Sequence, residues 1–298
     1  MSDPDYLTAK RTVDDRALND RVFDAFVAAL SDEAALSDEA ADGSVSVLDV
    51  GAGTGTMVVR LAERGILPSH VTYRLVDRDP VHVDAARTHV PERLAAAGYR
   101  LEEDDEVIVA TRGGNRLEVR FETADAFAID ASADVCIATA VLDLLNPSPA
   151  LAGLASHLEP GGVLYAPLVF DGGTGFAPVH DDDPAIERAY HRHMAEVRDG
   201  GGPRVGRRLL EAVPDLDGEV VAVGGSTQVI RPRNGSYPVR EDVVLSRLLE
   251  TVAAAVREVP DAAVTPETVD EWLAVRRDQL DRSTLSFVAH NLDVLVRW

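Results

Sequence analysis

Three glycines at alternate positions follow an acid in Asp49-Val50-Gly51-Ala52-Gly53-Thr54-Gly55, at the end of the apolar run 45–50. Glycine has no Cβ, so such a bend can take positive φ and let the backbone come within van der Waals distance of a bound group. The amphipathic segment Met57 to Arg64 comes next, and a helix beginning there points its free N–H groups at the same place. Two further acids fall where the chain leaves apolar runs: Asp77, after Val-Thr-Tyr-Arg-Leu-Val, and Asp125, within Ala124-Asp125-Ala126. An acid in the first position can accept both hydroxyls of a ribose, and one in the second can accept from an exocyclic adenine amine. The glycine bend leaves room for an amino-acid group. Each acid also has a purely structural use: Asp49 can brace its own loop, and Asp77 and Asp125 can cap the helices that follow them.

These residues need strands and helices to hold them, and the apolar periodicity supplies both. A helix is predicted over 12–30, an exposed Ala/Asp/Glu/Ser linker over 31–44, strand one over 45–50, a helix over 55–64, and strand two over 71–77, followed by a helix from Pro80. The alternating runs Glu106 to Arg112 and Arg116 to Glu122, split by Gly113-Gly114-Asn115, read as a hairpin whose second arm is strand three. Strand four is predicted over 133–140, a helix over 147–158, and strand five over 163–170 after Pro160-Gly161-Gly162. Alternation of this kind predicts an α/β fold, a doubly wound, mostly parallel sheet with helices on both faces. Beyond 171 the pattern changes to a glycine-rich loop, helices over 184–198 and 205–213, and short strands at 219–223 and 227–231. Helices over 240–258 and 266–282 follow, then a terminal strand at 285–296. The chain therefore divides into an N-terminal helix and linker (1–44), a ligand-binding core (45–170), and a cap with the strands that complete the sheet (171–298).

In this order and spacing the chain resembles the class I S-adenosylmethionine (SAM)-dependent methyltransferases. Val-Leu-Asp-Val-Gly-Ala-Gly-Thr-Gly (47–55) is similar to the family's first motif, Asp77 to its ribose-binding acid, Asp125 to its adenine-side acid, and Leu158-Glu159-Pro160-Gly161-Gly162 to the turn before strand five. The resemblance implies a Rossmann-like, seven-stranded sheet whose last strand is antiparallel, with a helical cap. It implies SAM as cofactor and S-adenosylhomocysteine (SAH) as product. The cofactor set it implies is Asp49, Gly51, Ala52, Gly53, Gly55, Asp77, Arg78, Asp125, Ala126 and Thr139, with Arg11 as the cation for the cofactor's carboxylate. Arg78 alternatively is a surface residue, and the segment around Arg11 a tail. A nicotinamide-binding oxidoreductase is the main competitor, but its fingerprint wants glycine at the sixth position counted from Gly51, which is Thr56 here. Asn146-Pro147-Ser148-Pro149 is not the motif of amino-methylating nucleic-acid enzymes, because Thr139-Ala140-Val141-Leu142 stands where that motif would end strand four.

The methyl acceptor should lie over the carboxyl edge of strands four and five, beneath the segment 171–204. His180, Tyr190 and His191 in that segment are the predicted catalytic groups, able to take a proton from a hydroxyl or amine; solvated surface histidines are the alternative. The expected reaction is methyl transfer to an O or N atom of a small molecule. Alternatives are an RNA or protein methyltransferase, or a SAM-binding protein without catalysis. The helices at 240–282 read as a lid or an oligomer contact, the latter allowing a homodimer.

Composition narrows the rest. The 298 residues carry a formal net charge of −22, and Lys10 is the only lysine. Such acidity would ordinarily disfavour a nucleic-acid partner, but with arginine in place of lysine it reads as a halophilic-type adaptation that says little about the ligand. A nucleic-acid partner is not expected, because no appended RNA-binding domain and no basic stripe is visible. Neither a membrane-length apolar run nor a secretory leader is expected, and one cysteine, Cys136, excludes an internal disulfide and suits a reducing cytoplasm. No residues show metal-ligand spacing.

Overall fold

The computed structural model describes residues 4–37, 44–104, 107–198, 200–260 and 263–298. Two helices come first, α1 (Pro4–Ala17) and α2 (Asp20–Ser37), followed by β1 (Val45–Val50), α3 (Thr56–Arg64), β2 (His70–Asp77) and α4 (Pro80–Ala96). Three strands run next, β3 (Arg100–Glu103), β4 (Val107–Arg112) and β5 (Asn115–Thr123), then β6 (Ala133–Ile137), α5 (Pro147–Ala155) and the long β7 (Leu158–Ala177). The remainder is α6 (Asp183–Glu196), α7 (Val205–Ala212), β8 (Glu219–Ile230), α8 (Glu241–Glu258), α9 (Pro266–Asp281) and β9 (Ser286–Arg297).

All the strands join one nine-stranded sheet in the order β3-β4-β5-β2-β1-β6-β7-β9-β8. The central run β5-β2-β1-β6-β7 is parallel, and β9 lies antiparallel between β7 and β8. The expected seven-stranded sheet with its antiparallel last strand is thus present, widened at one edge by β4 and by β3. The sequence reading missed β3, four residues that pair only with β4.

Apolar residues sort into three clusters. Phe26, Val47, Leu61, Tyr73, Leu94 and Tyr165 belong to the layer under α2, α3 and α4. Leu48, Val50, Leu151, Leu154, Leu164 and Leu209 fill the opposite face under α5 and α7. The third cluster joins α1, α6, α8 and α9 over one end of the sheet, around the fully buried Trp272. α3 shows why its sequence is helical: Met57, Val58, Leu61 and Ala62 are all buried. Full burial of such side chains contributes about 1.5–3 kcal/mol for each large one.

Five boundaries differ from those the sequence predicts. The helix predicted over 12–30 is two, because Asn19 ends the first and caps the second: its Oδ1 accepts from Val22 N at 3.2 Å, while its own N–H donates to Asp293 Oδ2 at 2.7 Å. The predicted linker is helical as far as Ser37, and 38–43 lie outside the described residues, as does Glu106 at the start of the hairpin. Strand four stops at Ile137, since the chain turns at Ala140, a non-glycine residue with φ 51°. β7 absorbs both the Pro160-Gly161-Gly162 turn and the glycine-rich loop after 171, bulging against β9 between Ala166 and Val169 and between Phe170 and Thr174. Asp293 anchors the first irregularity by accepting from Leu168 N at 2.8 Å. The two short strands predicted at 219–231 are one, β8.

Candidate active site

The bend after β1 is built as a cradle. Gly51, Gly53 and Gly55 all have positive φ, between 56° and 74°. A Cβ at Gly51 would come 2.7 Å from Val141 Cγ2, and one at Gly53 would come 3.2 Å from Leu7 Cδ1 on α1. Gly55 serves packing: a Cβ there would collide with Val90 of α4 and stand 3.0 Å from Leu75.

Around this bend a cavity of about 720 Å³ opens at the carboxyl edge of the parallel strands, where open α/β sheets bind ligands. Asp49, Gly51, Ala52, Gly53, Asp77, Arg78, Asp125, Ala126 and Thr139 all line it. Asp77 is buried and holds the bend closed, with Oδ2 accepting from Gly53 N and Oδ1 from Asp79 N, both at 2.9 Å. The cap of α4 is Asp79 rather than Asp77, through Val81 N at 3.0 Å. Asp125 accepts from Phe127 N at 3.0 Å. Asp49 is 1% exposed and accepts from the Tyr73 hydroxyl at 2.6 Å through Oδ2. Burial pushes its pKa up to about 7, against the lowering effect of Tyr73 and of the Arg60 charge.

Three buried oxygens on this wall, Asp49 Oδ1, Thr54 Oγ1 and Thr139 Oγ1, have no hydrogen-bond partner among the described residues. Unpaired buried polar atoms are costly, and acceptors and hydroxyls around a glycine bend fit a nucleoside bearing an ammonium and a carboxylate. The residues present therefore fit SAM.

The same cavity runs on beneath the cap. α1 contributes Tyr6, Lys10 and Asp14, α6 contributes Tyr190 and Met194, and the turn after β6 contributes Asp143. Lys10 Nζ bonds both oxygens of Asp14, at 2.6 and 2.8 Å. Burial opposes the lysine's charge, but Asp14 and Tyr6 outweigh it and hold its pKa above the usual lysine value. Burial also pushes the Tyr190 hydroxyl up to about 12.

Four predicted site residues stand elsewhere. Arg11 does not line the cavity; it pairs with Glu63 of α3 and with Asp15, and the cation that faces the cavity from α1 is Lys10. α1 begins eight residues before the helix predicted from 12, which turns Lys10 inward and Arg11 outward. Gly55 packs α3 on α4. His180 lies at the start of the α6 turn, 3.6 Å from Asp182 Oδ2, outside the cavity. His191 stands behind the wall, its Nε2 3.3 Å from Thr174 Oγ1 and its ring edge-on to Phe170; burial holds its pKa below the ordinary histidine value. Of the three predicted catalytic groups, only Tyr190 lines the cavity.

Sequence reasoning passed over Asp143, Arg198 and Gln228. Arg198 and Gln228 reach the cavity only through long-range packing. Asp143 could have been found, because it stands six residues after β6 ends, at the edge of the sheet where ligands gather.

A family model described as a methyltransferase domain matches residues 48–164. No match is found among curated proteins. Among solved structures, a SAM-dependent methyltransferase from Thiobacillus denitrificans in complex with SAH is similar at 15% identity and a TM-score of 0.41, over 93% of this chain and 92% of that one. A SAM-dependent methyltransferase from Geobacter sulfurreducens with SAH is similar at 15% identity and a TM-score of 0.39, over 90% and 89%. YjhP from E. coli is similar at 15% identity and a TM-score of 0.40, over 90% and 91%. The glycine bend and the acids at the ends of β2 and β5 all fall within residues 48–164, the segment that matches a methyltransferase domain, and the strand order is that of a doubly wound sheet around it.

Proposed function

We propose that this enzyme transfers the methyl group of SAM to an O or N atom of a small molecule with an apolar body. The observation that carries the reading is continuity: one cavity holds both the glycine bend and the space beneath α1, α6 and α8. When bound, SAM supplies an electrophilic methyl on a sulfonium, so the protein's task is alignment and handling of a proton. Asp77 and Asp125 would hold the ribose and adenine. Asp49 Oδ1 and Thr54 Oγ1, both short of a partner, would receive the amino-acid end. Phe170, Met194, Leu248, Val252 and Phe287 form the apolar wall on the acceptor side. Tyr190 supports this reading as a hydroxyl facing that space.

The apolar wall inside the cavity and a net charge of −22 favour a small acceptor over nucleic acid. Among the described residues no helix is long and apolar enough to cross a membrane. We place the enzyme in the cytoplasm, where its single cysteine, Cys136, stays a buried thiol; burial pushes that thiol far up. Calorimetric titration tests the core of the reading: SAM and SAH bind, and NAD does not. Binding of NAD with neither sulfur nucleoside would hand the site to an oxidoreductase.

A further inference from the structure

Moving a methyl group from a sulfonium to a hydroxyl releases a proton, and an amine that arrives as its ammonium must first lose one to free the attacking lone pair; in either case some group in the cavity must receive it. Resting on the methyltransferase reading above, we propose that the carboxylate of Asp143 is the catalytic base that takes this proton from the acceptor.

The geometry isolates it. Asp143 sits in the turn after β6, past the left-handed Ala140, and lines the acceptor half of the cavity. Its peptide is clamped, since Arg198 Nη2 donates to Asp143 O at 2.6 Å. The other proton acceptors nearby are committed. Asp14 is engaged by Lys10 and by Gln228 Nε2 at 2.6 Å. Asp77 holds two backbone N–H groups, and His82 stands 3.4 Å from it on the cofactor side. Asp49 is tied to Tyr73 beneath the glycine bend. His180 and His191 do not reach the cavity. The Asp143 side chain has no hydrogen bond to another residue's side chain among the described residues.

Its electrostatics match the task. Burial raises the Asp143 pKa to about 6, against the lowering effects of Arg198 and Lys10. The charged and titratable groups that face it are Tyr6 and Lys10 from α1, Tyr190 from α6, and Arg198 beyond α6. A base is most effective when its pKa lies close to the working pH. In the reaction the C–S bond breaks with its electron pair left on sulfur, giving SAH. The acceptor's lone pair forms the new O–CH3 or N–CH3 bond, and the acceptor's proton passes to the Asp143 carboxylate, then to solvent.

The test uses the full-length enzyme with tyramine, which offers both a phenol and a primary amine, as the probe acceptor. Wild type should transfer labelled methyl from SAM to tyramine at a rate that climbs as the pH rises through about 6, because the base must be ionised. Asp143→Asn should lower kcat at least about a hundredfold, abolish that rise, and leave the Kd for SAH within about twofold. Asp143→Glu, which keeps a proton acceptor, should recover part of the rate. Infrared titration gives a readout independent of turnover. A protonated-carboxyl band that disappears near pH 6 should be missing in Asp143→Asn and retained in Asp49→Asn. Wild-type rates and pH profile in Asp143→Asn, an unchanged infrared titration, or SAM binding without methylation of tyramine would each overturn the proposal. Wild type that binds neither SAM nor SAH would instead bring down the methyltransferase reading beneath it.

Discussion

Asp77, the last residue of β2, accepts a hydrogen bond from the backbone N–H of Gly53 at 2.9 Å, so one carboxylate fixes the second turn of the glycine bend. Its other oxygen accepts from Asp79 N, also at 2.9 Å. The residue that would hold the ribose therefore also shapes the cradle for the rest of the ligand. Asp77→Ala should weaken SAH binding by more than about tenfold, since charge-assisted bonds of this kind are worth about 1.5–3 kcal/mol. Asp77→Asn keeps an acceptor oxygen for Gly53 N–H and should lose less. Calorimetry on both variants checks this, and equal, unchanged affinity in the two would remove Asp77 from the ribose site.

Asp49 makes stability depend on pH in an uncommon direction. Its folded pKa is raised from 3.8 to about 7, so between these values the native state binds more protons than the unfolded chain. Stability from this group is present at low pH and falls as pH rises from about 4 to about 7. Asp49→Asn keeps an oxygen for the Tyr73 hydroxyl and should flatten that fall, as measured by urea denaturation at pH 5 and pH 8. A ligand ammonium beside the ionised carboxylate would reverse the cost, so the rise in Tm on adding SAH should grow from pH 6 to pH 8 in wild type and not in Asp49→Asn.

The parts of the site that could be read directly from the sequence are those made by contiguous segments. Asp49 to Gly55 forms its bend through local conformational preference, and Asp77 and Asp125 follow apolar runs whose strand character is local too. The acceptor side is assembled from α1, the turn at Asp143, α6 and α8, segments far apart along the chain whose meeting depends on packing. Arg11 and Lys10 show how little separates a right assignment from a wrong one. They are neighbours, and extending the first helix back to Pro4 turns one toward the cavity and the other toward Glu63. Glycines and Pro160 predict turns at both ends of strand five, whereas pairing with β9 carries β7 across them; tertiary context overrides local propensity.

The three glycines of the bend should not respond alike to alanine. Gly55 has φ 74° and stands against Val90 and Leu75, both in the core. A side chain there meets left-handed strain of about 1–2 kcal/mol and overpacking of about 1–3 kcal/mol. Gly55→Ala should therefore cost stability on the order of 2–5 kcal/mol by urea denaturation. At Gly53 the nearest atom is the end of the flexible Leu7 side chain, at 3.2 Å. Gly53→Ala should cost mainly the left-handed strain, yet weaken SAH more than its small stability loss would suggest, because the new methyl stands in the cradle.

α1 covers the cavity, and among the contacts that fasten it is a buried ion pair to the start of α8. Glu241, at the start of α8, is fully buried and accepts from Arg16 Nη1 at 2.7 Å, Arg16 Nη2 at 3.0 Å and Thr12 Oγ1 at 3.0 Å. Removing one partner of a buried pair leaves an uncompensated charge, which typically costs about 3–5 kcal/mol; Arg16 is one-third exposed, so about 2–4 kcal/mol is expected for Arg16→Ala. The loss should be local. Amides of α1 should exchange faster, and SAH should dissociate several-fold faster, because Tyr6, Leu7 and Lys10 would cover it less of the time. Replacing both partners by apolar residues, Arg16→Met with Glu241→Leu, removes the unpaired charge as well as the bond and should restore most of the stability. If the double variant is as unstable as Arg16→Ala, the ion pair is not what fastens α1, and the contact of Asp14 with Gln228 on β8 becomes the one to remove next.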